Sequence, residues 1–248
     1  MHATDTSRVP QWFWLWLPVT LYFGHFVARW LLADSTYTRI IEKESGFTEV
    51  ATVLALGVAL CIGLGVLYRA WTLGDNTIRF FLACFCLGCL YFGGEEASWG
   101  QHLFGWNTPD SWQAINNQGE TNLHNSNDLA GSLLDQLPRN LLAVMILIGG
   151  AILPLVNLAR GNTYNDESFK AAVMPGIICV PAALIAPLAS IPEKIMEKSI
   201  GGVPWPLDIE AGEVKELMIA VFLLVYIVSI WLEFDRRMGS ARTSHHSS

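Results

Sequence analysis

VATVLALGVALCIGLGVLY, residues 50–68, runs for 19 positions without a charge, and its reading decides the fold. As an α-helix rising about 1.5 Å per residue, it nearly matches the roughly 30 Å of hydrocarbon in a bilayer. Working outward, comparable uncharged runs cover residues 9–28, 140–159 and 171–191, with two shorter ones at 80–94 and 217–232. The short runs hold 15 and 16 residues, and each borders glutamate, Glu95 in one case and Glu216 in the other. A helix that must cover the bilayer with too few apolar residues tilts, snorkels a basic side chain such as Arg79, or draws its flanking acids into the interface.

Composition agrees. The chain is 52% hydrophobic and only 15% charged, with a mean hydropathy of +0.37, far from soluble averages. The expected fold is all-α: a polytopic transmembrane helix bundle of about six spans, near 10–31, 48–70, 78–99, 139–159, 171–191 and 213–233. It forms one domain over 1–238, with an interfacial loop of roughly 30 residues between the third and fourth spans and a flexible tail over 239–248. Arg8 precedes the first span and Arg29 follows it without a small-residue cleavage pattern, so that span is read as uncleaved.

Six spans place both termini on one side. Lys and Arg divide 8 to 7 between that side and the other, whereas Asp and Glu divide 6 to 16. The expectation is a multi-pass protein of the cell inner membrane with cytoplasmic termini. Tryptophans fall at the span ends, Trp12, Trp14, Trp16, Trp71 and Trp231 at one interface and Trp30, Trp99, Trp106, Trp112 and Trp205 at the other. Such rings set depth rather than function. The five cysteines all lie in apolar runs and read as small packing residues, not as a disulfide framework or a metal motif. A net charge of −7 and the absence of a basic patch or a phosphate-cradling loop speak against nucleic acid as a partner.

Polar chemistry gathers at one depth. His25 and Arg29 end the first span, and Glu44 and Glu49 open the second. Glu95, Glu96, Ser98 and His102 end the third, Glu120 and His124 sit in the loop, and Glu210, Glu213 and Glu216 open the sixth. The inner halves of these spans hold no ionisable side chain besides cysteine and Tyr226, which disfavours a transport path through the full thickness. On a continuing helix Glu95, Ser98 and His102 share one stripe, able to bind a cation or do acid–base chemistry. Glu120, His124 and Asp128 are four apart, so on a helix Glu120 and His124 would chelate one divalent ion. Glycines 93 and 94 allow a close approach to the backbone. Of the three acids opening the sixth span, Glu216 should be drawn deepest. Carboxylates crowded near hydrocarbon must be protonated, share a metal, or pair with Arg29, His25 or Lys215. Prolines 175, 181, 187 and 192 break up the fifth span.

Four blocks in order, ESGFTEVATVL, GGEEASWGQHLFGWNTP, NNQGETNLHN and GEVKEL, resemble a widespread, functionally unassigned family of bacterial multi-span membrane proteins. The resemblance implies that Glu49, Glu95, Glu96, Ser98, Trp99, Gln101, Glu120, Asn122, His124 and Asn125 are the positions to test. Ser98 and His102, four apart, are also similar to an element of the membrane-embedded ceramidase-type zinc hydrolases, although the last span has no His-x-x-x-His pair.

The leading functional expectation is a Glu/His site at the outer bilayer interface that binds a divalent metal and performs hydrolysis or group transfer on a lipid or lipid-linked substrate. Its metal ligands come from Glu49, Glu95, His102, Glu120 and His124, and Glu96 is the general base beside Ser98. Trp99, Gln101, Trp106, Asn122 and Asn125 line the substrate pocket. The alternative is a non-catalytic accessory or sensory subunit whose polar rim docks a membrane or periplasmic protein partner, and a transporter ranks last.

Overall fold

A computed structural model describes residues 8–42, 46–73, 75–113, 116, 119, 121–123, 137–161 and 172–245; for residues 42, 72–73, 102–103 and 237–245 only the backbone is described. The chain is an all-α multi-pass membrane protein, and five helices are each long and apolar enough to cross a bilayer: Phe47–Trp71, Asn76–Glu96, Leu137–Ala159, Ile177–Ile200 and Ala211–Arg236. The first run is a further helix, π-wound over Trp12–Trp16 and α-helical over Leu17–Leu31 (α1), less apolar because it carries His25 and Arg29.

After α1, a short helix Asp34–Tyr37 (α2) leads to the second span, Phe47–Leu73 (α3). The third span, Asn76–Glu96 (α4), starts on Asp75, whose side chain accepts from the backbone N–H groups of Thr77 and Ile78 at 2.8 and 3.2 Å, a standard N-cap. Arg79 does not reach for the lipid surface. It folds back onto the end of α3, donating to the Ala70 and Trp71 carbonyls at 3.3 and 3.0 Å and lying 4.7 Å over the Trp71 ring. A cation on the last carbonyls of a helix satisfies groups that have no partner within it and complements its dipole.

Two short helices, Gln101–Phe104 (α5) and Asp110–Gln113 (α6), follow in the loop. The fourth span begins as Leu137–Ile146 (α7), passes through a π-helical stretch Leu147–Ile152 and ends as Leu153–Ala159 (α8). The fifth opens only at Ile177, later than the expected 171, because Pro175 and Gly176 sit in irregular chain ahead of it. Its main helix Val180–Leu188 (α9) and the following Ile191–Ile200 (α10) each carry proline in the first turn, where the missing N–H costs nothing. The last helix, Ala211–His245 (α11), extends beyond the apolar run, so residues 239–245 of the expected tail are helical.

The bundle is built around α11. Of its apolar window 67% is buried, against 28% for each of the second, third and fourth spans. It packs on α3 and α9, α3 packs in turn on α4, and α9 packs on the π-helical stretch of the fourth span. Lipid tails are as apolar as leucine, so close approach rather than water exclusion holds such helices together. Gly150 shows it: a Cβ there would meet the Phe222 ring and stand 2.8 Å from the Ala183 Cβ. Ala182, Ala183 and Ala186 on the facing side of α9 are fully buried. The fourth span packs on α9 and α11, and a gap lies between it and α4.

Candidate functional site

The acids at the ends of the short third and sixth spans come together. Glu96 at the end of α4 and Glu213 and Glu216 in the first turns of α11 each place a carboxylate oxygen within 4.8 Å of the other two. Glu213 and Glu216 are one turn apart on one face of α11, which is why both point the same way. Glu216 is buried, Glu213 half-buried and Glu210 exposed, the order of depth expected for this helix start. Arg139, in the first turn of α7, joins them: its Nη1 lies 2.9 Å from Glu96 Oε1 and 2.5 Å from Glu216 Oε1. Its guanidinium also stacks 5.0 Å over the Phe92 ring. The cluster thus gathers three carboxylates and one guanidinium from the end of α4 and the starts of α7 and α11.

A second network pins the loop to the end of the third span. The helix α4 stops at Glu96, and Ser98, Trp99 and Gly100 all take left-handed backbone, with φ of 44, 53 and 90°. For the two side-chain-bearing residues this costs on the order of 1–2 kcal/mol each. The turn folds Trp99 back so that its Nε1 donates to Glu95 Oε1 at 2.7 Å, while the Leu123 N–H donates to Glu95 Oε2 at 2.7 Å. Asn122 Nδ2 donates to Ser98 Oγ at 2.8 Å, and Asn116 Nδ2 donates to the Asn122 carbonyl and side chain, both at 2.9 Å. Gln101 completes the clamp, accepting from the Thr121 N–H at 2.7 Å and donating to Thr108 Oγ1 at 2.6 Å. Gly94 is required here, since a Cβ would sit 2.7–2.9 Å from the Trp99 ring.

Below the cluster lies a cavity of about 270 Å³ in the gap between the third and fourth spans. One wall is α4 from Cys84 to Phe92, the other is Pro138, Arg139 and Leu142 of α7, and Leu223 of α11 is the floor. Arg139 therefore belongs to both the cavity lining and the carboxylate cluster.

The described residues bring Glu96 together with Glu213 and Glu216, not with Glu95 or Glu49. Glu95 has both carboxylate oxygens engaged by the clamp, and Ser98, Gln101, Asn122 and Trp99 belong to the same clamp. The third-span and loop motifs therefore do meet. Trp106 stacks on Phe104 at 6.0 Å with its Nε1 3.4 Å from Thr121 Oγ1. Glu49 lies half-buried in the first turn of α3. Glu120, His124, Asn125 and Asp128 lie outside the described residues, as does the side chain of His102. The expected stripe of Glu95, Ser98 and His102 does not form, because the left-handed turn at Ser98–Gly100 ends the helix that would have aligned them.

Arg29 and His25 do not serve the glutamates either. Arg29 grips Asp208 through Nε at 3.0 Å and Nη2 at 2.6 Å, reaches Asp34 at 2.6 Å with Nη1, and lies 5.1 Å over Tyr37. This grip holds the Asp208 carboxyl below the usual carboxylate range. His25 donates from Nδ1 to the Leu21 carbonyl at 2.7 Å and faces the Thr48 hydroxyl at 3.1 Å through Nε2. Arg29 ties the end of the first span to Asp34 and Asp208, and His25 ties the first span to the start of the second.

Arg139 is the member of the cluster that reading the sequence missed. A signal was present, since a cation in the first turn of a helix opposes the macrodipole and calls for an acidic partner. In comparisons with known proteins, no protein-family model, no curated protein and no solved structure matches this chain.

Proposed function

We propose that this chain binds a hard divalent cation, of the magnesium, manganese or calcium type, at Glu96, Glu213 and Glu216 and uses it in hydrolysis or group transfer on the head of a membrane lipid or lipid-linked substrate. The observation that carries the reading is the carboxylate trio itself, Glu96 and Glu216 buried and Glu213 half-buried, with oxygens within 4.8 Å of one another and so within reach of one ion. All-oxygen donors favour hard cations over zinc or copper. A bound ion there supplies Lewis-acid polarisation of a phosphoryl or carbonyl oxygen. Arg139 pairs with both Glu96 and Glu216 and so holds them toward each other. The one-sided acidity of the sequence supports placing this face outward from an inner membrane, with cytoplasmic termini.

Metal analysis of detergent-purified full-length protein tests the reading. Stoichiometric divalent metal that disappears in Glu213→Gln, with the protein still folded, is the expected result. Metal-free protein whose thermal stability is indifferent to chelator overturns it.

A second reading, a non-catalytic subunit docking a membrane or periplasmic partner, is favoured by the aromatic rim beside the clamp. Phe104 is 74% exposed, and it stacks with the exposed Trp106. Under that reading Trp106→Ala abolishes co-purification of a partner while any bound metal is unchanged.

A further inference from the structure

The cavity between the third and fourth spans extends the proposed metal site into the bilayer. Its lining from Cys84 to Phe92 spans about 12 Å of helix at 1.5 Å per residue. That length takes on the order of ten methylenes of an extended hydrocarbon chain, much of one leaflet's depth. Both walls belong to helices that cross the membrane, so the medium at its mouth is lipid. The rim is exposed at Cys84, Gly88 and Tyr91 on one side and at Pro138 on the other, while the inner end is buried at Cys89, Phe92 and Arg139. The lining is apolar along its length and meets its guanidinium only at Arg139, where the carboxylate cluster begins. An apolar slot of this length, opening sideways into lipid and ending on a guanidinium, matches an amphiphile with a hydrocarbon tail and a charged head.

We propose that this slot holds one acyl chain of a phosphate-headed membrane lipid, which enters sideways between the third and fourth spans and brings its phosphate to Arg139 and the cluster. The inference rests on the reading of the cluster as a divalent-cation site: three neighbouring carboxylates disfavour a phosphate, and a bound ion there faces it together with Arg139. Guanidinium and hard cations are both established phosphate partners. The chain's own residues thereby define the substrate class as a lipid taken from the bilayer, not a solute taken from water.

Gly88 supplies the variant that tests this. A Cβ built on it meets nothing within 4 Å, so leucine there projects into the slot without striking the backbone. The full-length protein is reconstituted in vesicles of phosphatidylglycerol doped with phosphatidylglycerol carrying a photoreactive diazirine midway along one acyl chain. After irradiation, cross-links are mapped by peptide mass spectrometry. The expected result is enrichment on the peptides carrying Cys84–Phe92, Leu142 and Leu223, lowered about tenfold in Gly88→Leu, the loss that follows when roughly two methylenes give up their place. Cross-links spread evenly over the lipid-facing spans and indifferent to Gly88→Leu overturn the slot. A diacylglycerol with the same photoreactive chain should show no enrichment, and equal enrichment overturns the phosphate assignment. The two failures are separable, because Gly88 lies away from the carboxylates. Gly88→Leu keeps its bound metal if the cluster reading is right, and metal-free wild-type protein that still cross-links in the slot sinks the cluster reading and the ion's part in holding the phosphate, leaving only the acyl chain in the slot.

Discussion

Arg139 Nη1 stands 2.5 Å from Glu216 Oε1, tying the start of the fourth span to the start of the last across the inner end of a lipid-facing slot. Both side chains are about nine-tenths buried, so neither charge has water to fall back on.

Removing the cation therefore leaves three acids facing one another. Arg139→Gln should destabilise the solubilised protein by about 3–5 kcal/mol, the usual penalty for stripping one partner from a buried pair. Adding Glu96→Gln and Glu216→Gln to the same chain should recover most of that loss. Thermal unfolding followed by cysteine alkylation reads both, and a triple variant no better than the single one argues against the pairing.

The clamp makes a local prediction. In Glu95→Gln the side chain presents one amide group where two N–H donors now converge, so one of the bonds from Trp99 and Leu123 is lost. The cost of about 1–3 kcal/mol should appear as faster hydrogen exchange at the Leu123 amide and as proteolysis within residues 105–123. Bound metal should not change, because Glu95 is outside the trio.

Gly94→Ala places a methyl against the Trp99 indole. Overpacking of this kind costs about 1–3 kcal/mol and should swing the ring off Glu95. Altered tryptophan emission together with a loosened loop is the expected outcome; unchanged emission means that the ring does not rest on Gly94.

Acid should weaken the bond between Asp208 and Arg29. Its pKa lies below the ordinary carboxylate range in the folded protein because the Arg29 guanidinium bonds it, so this contribution is complete above the unfolded value near 3.9 and fades as pH falls through the folded one. Asp208 is a third exposed, so the step is small. Stability measured between pH 5 and 2 should lose this component in Asp208→Asn, and a variant with the wild-type acid profile contradicts it. (The range of about pH 5 to 2 brackets ordinary carboxylates.)

The spans were legible because length and uninterrupted apolarity are additive properties of the chain, and the shortened third and sixth runs correctly marked where acids gather. Glu216 as the deepest of its three was legible from its position against the apolar run. The left-handed turn at Ser98 and Trp99 was not, since no local preference puts serine and tryptophan there; bonds from Asn122 and to Glu95, drawn from the distant loop and the preceding helix, hold it. Arg139 was passed over for a similar reason. Pairing it with Glu96 and Glu216 requires knowing that the fourth span lies across a gap from the third, which no periodicity in either run reports.

The helix α11, central to the bundle, also leaves the ribosome after every other described span. Until it arrives, α3 and α9 lack their common neighbour and Arg139 lacks Glu216, so the earlier spans wait in the bilayer as a loose set with half a charge network. Chains cut short before residue 211 would therefore lack the helix on which α3 and α9 both pack.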